Sequence, residues 1–401
     1  MSGLRSLTGT QRFLLASSFL VTLGCFAVLP YMSVLLHQRL GMGLGVVGVV
    51  LAVASLLQFS GCVVGAGVAE WLGLQRTLLL ALVLHVAGFA GFLAGLHWPV
   101  VTVAGLVLSC SGAALYLPSA KAYLVHGVAE DRRPLLLSAS NSALNAGVAL
   151  GPMAAAPFVL DASAGLFTTV IVAFAGLTVG HAILPRENAD ATRESVDPPW
   201  RVLAGLPILP FTVTALTLYL HMYFYYYLPV YTVPRVSSVF YGAVLMLHSL
   251  LLVVLQPVLA GWIGRLEYPR AMLIGFTAMA AGMTVLSAGS AVTIVAGAVL
   301  ICLGEVVLFL KNDLEAIAAS ARSPAVVFGQ QRLAAGIGAF ASAVLGGAGY
   351  GALDQAGHAP FFWLAVAAQC ALLPPLLLVT HRALRFTAVR RPENDNMVRT
   401  T

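Results

Sequence analysis

The chain has 401 residues, of which 60% are hydrophobic and only 9% are charged. Soluble domains carry about 25% charged residues, so this composition excludes a water-soluble globular protein. The net charge of +6 comes from arginines near the ends of apolar segments and requires no nucleic acid as a partner. We therefore expect an all-α membrane protein.

Apolar stretches of about 20 residues, long enough to cross a bilayer as a helix, recur along the chain. In chain order they cover residues 12–37, 44–68, 77–97, 99–125, 134–158, 163–184, 206–232, 237–263, 270–289, 291–317, 325–353 and 359–381. The sequence therefore predicts twelve transmembrane helices, six on each side of a polar linker.

The linker is PRENADATRESVDPPW, which is polar, mixed in charge and ends in a pair of prolines. This composition is typical of a flexible connection between two halves. The predicted parts are an N-terminal six-helix bundle (1–184), a cytoplasmic linker (185–205), a C-terminal six-helix bundle (206–384) and a cytoplasmic tail (385–401). The halves resemble each other, since Gly112 in the fourth span and Gly304 in the tenth lie 192 residues apart. Parallel repeats of this kind occur in transporters that rock two halves about a central site.

Arginines are distributed unequally between the two ends of these spans. Sixteen of them fall in loops and termini on one side, and only Arg39 and Arg235 fall on the other. Because loops rich in Lys and Arg stay in the cytoplasm, both termini are expected there. The predicted location is the cell membrane, or the inner membrane of a bacterium that has two, with multiple crossings.

The fifth span contains NAGVALGP, in which glycines and a proline interrupt an apolar helix. Gly147 and Gly151 share one helix face, where another helix can approach closely, and Pro152 bends the helix. With twelve spans in two sets of six, cytoplasmic termini and a charged central loop, the chain resembles the major facilitator superfamily. The stretch itself resembles the fifth-helix motif of that family's drug:proton antiporter branch.

This resemblance implies two six-helix bundles that expose a central site to each side of the membrane in turn. It also implies that the fifth helix meets the eighth and seals the halves against leakage. Gly147, Gly151 and Pro152 would then be gating residues. The alternative is ordinary packing of small residues with an incidental kink.

The loop between the second and third spans, AGVAEWLGLQR, resembles a second motif of the family. It keeps an acid as Glu70, a turn glycine as Gly73 and a basic residue as Arg76. It departs at Ala66, which replaces a glycine, and at Gln75, where a basic residue is usual. An acid that faces basic residues and a helix end can form a lock that breaks and re-forms, so Glu70, Gly73 and Arg76 are predicted to gate. The alternative is a simple polar turn.

Ionisable residues inside membrane spans are costly, so each is a candidate for function. Glu305 lies about 21 Å from the outer end of the tenth span at 1.5 Å per residue, near the middle of the bilayer. It is the first candidate for a carboxylate that carries protons, and the alternative is a structural carboxylate bonded to a neighbouring helix. Lys311 and Glu315, four residues apart on the same span, are predicted to form a structural ion pair.

Three further charged residues fall nearer the cytoplasmic ends of their spans. Lys121, Asp313 and Arg332 are expected to form an inner-gate cluster between the halves, with Asp313 as a second proton-coupling residue. The alternative is that each side chain reaches the membrane surface separately. The resemblance fails at one position here, because the antiporter branch usually carries an arginine in the fourth span where this chain has Leu108.

The seventh span contains YLHMYFYYYLPVY, in which aromatic residues surround His221. Aromatic rings that face inwards would give flat, amphipathic walls for a drug-sized or cationic ligand. Histidine is the side chain that titrates most easily near neutral pH, which favours His221 as a functional residue. The predicted substrate-binding residues are His221, Tyr223, Tyr226, Tyr227, Gln58, Tyr116, Glu305 and Arg332.

These features predict a secondary active transporter that exports a small amphipathic molecule, such as a drug-like compound or metabolite, in exchange for protons. Its expected partners are the substrate, protons and membrane lipid, and the chain is expected to act as a monomer. The sequence shows no Walker-type nucleotide motif, no clustered metal ligands and no nucleophile–base pair. It therefore predicts no cofactor, no metal and no enzymatic activity.

The chemistry of the substrate stays open at this point. Glu305 and the aromatic residues suit a lipophilic cation, whereas Lys121 and Arg332 suit an anionic metabolite such as a carboxylate siderophore. A proton-coupled nutrient importer is a weaker alternative, because the glycine–proline motif of the fifth span argues against it. A sensor or scaffold that does not transport is a further alternative.

Overall fold

The computed structural model describes residues 7–129, 132–185, 203, 205–322 and 324–397. Within its helices, the side chains of residues 62, 63, 66, 70, 133–135, 138, 324, 325 and 382–397 are not described. Most of the predicted linker therefore lies outside the described residues, as does the side chain of Glu70. What is described is sufficient to place both halves and the space between them.

The described residues form twelve long helices and no strands, which confirms the predicted all-α membrane fold. The helices are α1 (Gly9–Arg39), α2 (Leu44–Leu72), α3 (Leu74–Ala94), α4 (Pro99–Val125), α5 (Arg133–Ala155), α6 (Ser163–Ala182), α7 (Ile208–Thr232), α8 (Ser238–Arg265), α9 (Tyr268–Leu286), α10 (Ala291–Ala318), α11 (Pro324–Gln355) and α12 (Ala359–Met397). Within the described part of the chain, eleven segments are long and apolar enough to cross a membrane. The remaining helix, α5, occupies the predicted span 134–158.

Local sequence signals determine where several helices begin and end. Thr8 and Gln11 form a capping box at the start of α1, in which each side chain accepts a hydrogen bond from the other's backbone. Gly73 separates α2 from α3 at a φ of 84°, a conformation that glycine adopts without steric cost. The helix α12 continues past the predicted span end at residue 381 to Met397.

Close helix crossings recur at equivalent positions in the two halves. A Cβ atom at Gly112 of α4 would lie 2.8 Å from the Ala81 carbonyl oxygen of α3. A Cβ atom at Gly304 of α10 would lie 2.5 Å from the Gly275 carbonyl oxygen of α9. Both glycines are therefore required by a crossing with the preceding helix, which gives the 192-residue spacing a structural meaning.

The two halves are in contact at the end of the bundle where α1 finishes and α2 begins, here called the distal end. There α2 crosses α11 so closely that a Cβ atom at Gly48 would lie 2.9 Å from the Gly347 Cα. On the other side of the interface, a Cβ atom at Gly242 of α8 would lie 2.9 Å from the Pro152 carbonyl oxygen of α5. Backbone contact at both places closes the distal end.

The same helices separate towards the opposite, proximal end, where α1 begins. Glycines lie in these segments too, at Gly67 of α2, Gly329 of α11, and Gly261 and Gly264 of α8. A Cβ atom at any of them would meet no described atom within 4 Å beyond its own helical turn and chain neighbours. The close backbone approaches between the halves that glycines mark on these helices therefore lie at the distal end and not at these proximal positions.

Candidate functional site

A cavity of about 220 Å³ lies between the two halves, at the middle of the bundle. Its walls come from α1, α2, α4 and α5 of the first half and from α7, α8 and α10 of the second. Pockets of this kind, concave and mainly apolar with a few converging polar groups, are typical ligand sites. Because both halves contribute walls, any movement of one half against the other changes the cavity.

The two walls differ in chemistry. The first half contributes mostly apolar side chains, among them Phe26, Met32 and Leu51, with Gln58 as its largest polar group. The histidines and the carboxylate of the wall, His221, His248 and Glu305, all come from the second half. The cavity therefore has one apolar side and one side that can carry charge.

Glu305 is the centre of the ionisable wall and is fully buried, at 0% exposure. His221 of α7 donates from Nδ1 to Glu305 Oε1. His248 of α8 donates from Nε2 to Glu305 Oε2 at 2.9 Å. A buried charge is tolerated when it is paired and hydrogen-bonded, and here both carboxylate oxygens have a partner. These three residues are called the His–Glu–His cluster below.

Packing holds the cluster in place. Gly304 lets α10 approach α9, so that Glu305, the next residue, points away from α9 towards α7 and α8. The His248 ring lies 5.2 Å from the Phe224 ring, centre to centre. Cys302 Sγ lies 3.6 Å from the His248 carbonyl oxygen, which it contacts as a weak donor. Each member of the cluster is thus fixed by a neighbouring helix.

His221 and Glu305 were predicted from the sequence, but His248 was not. The signal that could have identified it is helical spacing, since Tyr241, Leu245 and His248 are buried on one face of a helix that is otherwise mostly exposed. The expectation of no clustered metal-type ligands is wrong for these residues. One ligand atom from each lies within 4.8 Å of the others, although His221 and His248 lie 84 and 57 residues from Glu305 in sequence.

Two imidazoles and one carboxylate are a donor set that divalent metals use. The same atoms also satisfy one another here, because each carboxylate oxygen accepts a hydrogen bond from one ring. Both carboxylate oxygens are therefore paired at the wall of the cavity, whereas His248 Nδ1 is buried and takes no part in this pairing. Groups arranged in this way can exchange a proton among themselves and with a ligand.

The predicted substrate residues divide into two groups. Gln58, His221, Tyr226 and Glu305 line the cavity. Tyr223, Tyr227, Tyr116 and Arg332 do not line it. Tyr225, which was not predicted, does line it.

The tyrosines outside the cavity have partners within their own half. Tyr223 donates its hydroxyl hydrogen to the Tyr219 hydroxyl at 2.6 Å. Tyr227 donates to the Ala343 carbonyl oxygen of α11 at 2.6 Å and stacks on Tyr350. The Tyr223 hydroxyl group therefore bonds within α7, and the Tyr227 hydroxyl group joins α7 to α11.

The contacts described for the predicted inner-gate residues each lie within one half. Lys121 Nζ donates to Asn141 Oδ1 at 2.8 Å, within the first half. Asp313 and Arg332 interact electrostatically within the second half. Tyr116 is buried inside the first half, with its ring 6.0 Å from the His181 ring.

The glycines of the fifth-helix motif pack against the first helix, α1. Cβ atoms at Gly147 and Gly151 would each lie 2.8 Å from backbone atoms of Leu23, which is on α1. The contact of α5 with α8 instead runs through the Pro152 carbonyl oxygen, opposite Gly242. The expected meeting of the fifth helix with the eighth is therefore confirmed, while the glycine face of α5 packs within the first half.

The loop motif also differs from the family pattern in a way that the structure explains. Gln75, where a basic residue is usual, donates from Nε2 to three carbonyl oxygens at the end of α6, including that of Leu184 at 2.7 Å. A neutral amide thus caps a helix end that a cation would otherwise stabilise. Arg76 is exposed, and the side chain of Glu70 lies outside the described residues. The predicted pair of Lys311 and Glu315 is confirmed, with Nζ to Oε1 at 3.0 Å.

Comparison with known proteins identifies the class of protein that this fold and cavity define. Residues 14–352 match the family model for the Major Facilitator Superfamily. The chain belongs to this family of transporters, which confirms the resemblance seen in its motifs.

Curated relatives match only part of the chain. An uncharacterized MFS-type transporter of Mycobacterium tuberculosis is 28% identical over 207 residues, 50% of this chain and 48% of that protein. The multidrug resistance protein MdtH of Cronobacter sakazakii is 32% identical over 141 residues, 35% of each chain. The chain thus matches about half, or less, of the length of these relatives.

Solved structures match almost the whole chain. A mutant form of the nucleoside transporter NupG superposes with a TM-score of 0.77 at 12% identity, covering 92% of this chain and 99% of that one. A mutant form of the peptide transporter POT, in complex with sulfate, gives a TM-score of 0.75 at 14% identity, covering 93% and 94%. At these identities the likeness shows a shared fold.

Proposed function

We propose that this protein exports a small amphipathic molecule from the cytoplasm in exchange for protons, by alternating access of its central cavity. The observation that carries the proposal is the buried His–Glu–His cluster in the wall of a cavity between two halves whose backbones meet closely at the distal end. The proposal takes the distal end as the outer end, with both termini in the cytoplasm, as the arginine distribution indicates.

The chemistry of the cavity supports an amphipathic substrate. An apolar body fits against Phe26, Met32 and Leu51, where its transfer out of water is favourable. A positively charged group fits against Glu305, the only carboxylate among the described lining residues. The rings of His221, Phe224 and Phe309 lie near that carboxylate and can contact a cation through their faces.

The cluster supports proton exchange by competition. A cation that enters from the cytoplasm pairs with Glu305 and releases the proton that the cluster held. After the halves rock, a proton from outside returns to the cluster and displaces the cation. The titratable groups that face Glu305 are His221 of α7, His248 of α8 and Cys302 of its own helix. Each cycle thus moves one cation outwards and at least one proton inwards.

The decisive experiment measures proton movement in proteoliposomes that contain wild type or Glu305→Gln, with a chelator in every buffer. Cationic dyes and anionic carboxylates are supplied in turn, and a trapped pH dye reports proton flux. We expect the cationic dyes to drive flux in wild type and the variant to lose it. Glu315→Gln is the matched control, because it removes a carboxylate from the same helix that pairs with Lys311 instead.

Two results would contradict the proposal. Unchanged proton flux in Glu305→Gln would show that Glu305 is structural. Flux driven only by carboxylates would favour an exporter of anionic metabolites, since two protonated imidazoles beside Glu305 would give the cluster a net positive charge. That second candidate rests on the presence of two histidines at one carboxylate.

The proposal extends to location and assembly. We place the protein in the cell membrane, or the inner membrane of a bacterium with two, and propose that a monomer is sufficient, because one chain supplies both halves of the cavity. Reporter fusions at each terminus test the orientation. Light scattering of the purified protein tests the monomer, and a stable dimer would contradict it.

A further inference from the structure

Tyr225 differs from the other tyrosines of α7 in what its hydroxyl group contacts. The hydroxyl groups of Tyr219, Tyr223, Tyr227 and Tyr231 each donate to a protein acceptor, and the Tyr226 hydroxyl group is hydrogen-bonded with Ser55 of α2. The hydroxyl group of Tyr225 has no hydrogen-bond partner among the described residues, although its ring lines the cavity. Tyr225 is only partly buried and its oxygen is not sealed from the cavity, so this hydroxyl group can bond to a molecule held there.

The Tyr225 ring lies close to the ionisable wall of the cavity. Tyr225 follows His221 by four residues and therefore lies on the same face of α7, one turn nearer the distal end. The centres of the two rings are 6.5 Å apart. A molecule that pairs with Glu305 beside His221 therefore passes Tyr225 at a distance of about one helical turn, roughly 6 Å.

We propose that Tyr225 is a specificity-determining residue whose hydroxyl group donates a hydrogen bond to the transported molecule. The substrate is then an aromatic or otherwise apolar amine that also carries a hydrogen-bond acceptor, such as an ether, carbonyl or hydroxyl oxygen, about 6 Å from its nitrogen. This inference rests on the proposed function, because it takes Glu305 as the site of the amine. It adds a second polar contact that an otherwise apolar cation lacks.

Two probe molecules isolate this contact. In 3-methoxyphenethylamine an ether oxygen is attached to the ring at the position meta to the aminoethyl chain. In 3-ethylphenethylamine a methylene group replaces that oxygen. A net hydrogen bond changes affinity by about threefold to tenfold. We expect wild type to bind the methoxy probe more tightly by that factor, as measured by titration calorimetry on the purified transporter.

The matched variants are Tyr225→Phe and Tyr223→Phe, which each remove one hydroxyl group from α7. Tyr225→Phe should weaken binding of the methoxy probe to the level of the ethyl probe and leave the ethyl probe unchanged. Tyr223→Phe should keep the difference between the probes, because its hydroxyl group bonds to Tyr219 outside the cavity. Both variants are compared with wild type for thermal stability, so that misfolding is recognised.

The outcomes separate this inference from the proposed function. Equal binding of the two probes to wild type, or binding of neither, overturns the second contact. If Glu305→Gln still abolishes proton flux with cationic dyes in that case, the exporter remains and only the role of Tyr225 is rejected. A difference between the probes that survives in Tyr225→Phe also overturns the inference.

Discussion

Tyr31 and Tyr241 meet at the distal end, where each places its hydroxyl group against backbone carbonyl groups of the other's half. Tyr31 of α1 donates its hydroxyl hydrogen to the Pro152 carbonyl oxygen at 2.9 Å, and the same hydroxyl lies 3.2 Å from the Ser238 carbonyl oxygen of α8. Tyr241 of α8 donates to the Pro30 carbonyl oxygen of α1 at 3.1 Å. The two rings meet edge to face, 5.0 Å apart. We call this arrangement the tyrosine clasp.

Removing the clasp should shift the protein towards the state that is open at the distal end. The donated bond that joins the halves, from Tyr241 to Pro30, contributes about 0.5–1.5 kcal/mol, so Tyr31→Phe and Tyr241→Phe together should favour distal opening by about twofold to tenfold. Spin labels on the distal ends of the two halves measure the change as a longer distance. Tyr231→Phe is the control, because that hydroxyl group bonds to Ser287 within one half. A similar shift in the control would mean that the clasp has no special role.

The crossing of α2 with α11 leads to a second prediction. In Gly48→Ala the new Cβ atom would meet the Gly347 Cα at 2.9 Å, which is closer than side-chain carbons approach. Gly48→Ala should therefore hinder distal closure and slow transport, while leaving the amount of folded protein near that of wild type. Transport rates in vesicles provide the measurement. Gly45→Ala, one turn away on α2 with no atom within 4 Å of its Cβ, should transport normally.

A third prediction follows from the packing of Gly151, in the fifth-helix motif, against α1. Gly151 faces α1 inside the first half, so Gly151→Ala should overpack this contact. We expect the free energy of unfolding to fall by about 1–3 kcal/mol, which a thermal-stability assay detects as a lower melting temperature. The control is Gly165→Ala on α6, where a Cβ atom meets nothing within 4 Å. A proton leak without loss of stability would instead support the expectation that the glycines seal the halves.

The spans could be predicted because the length of an apolar segment alone is enough to place a membrane helix. Predicted and observed bounds agree at 99–125 and Pro99–Val125, for example. Glu305 and His221 could also be predicted, because ionisable residues are rare in such segments. His248 was missed because it comes from a helix with few buried positions, far away in sequence.

The tyrosines of α7 show why the rest of the site could not be predicted. Tyr223 and Tyr227 are four residues apart and face α11 and α12, whereas His221 and Tyr225 are four apart and line the cavity. In a continuous run of aromatic residues, no contrast between polar and apolar positions marks the inner face of the helix. The rotation of α7 about its axis is decided only by its neighbours.

The glycines of α2 and α11 follow one antiparallel register along their whole shared seam. Gly48 lies opposite Gly347, Ser60 opposite Gly336, and, one further step of seven residues along each helix, Gly67 would lie opposite Gly329. Only the first two pairs are in contact here. Two rigid helices that touch near their midpoints can pivot at Ser60. Bringing one pair of helix ends together then separates the other pair. Along this seam we therefore expect a passage to open to one side of the membrane at a time, before any ligand or ion takes part.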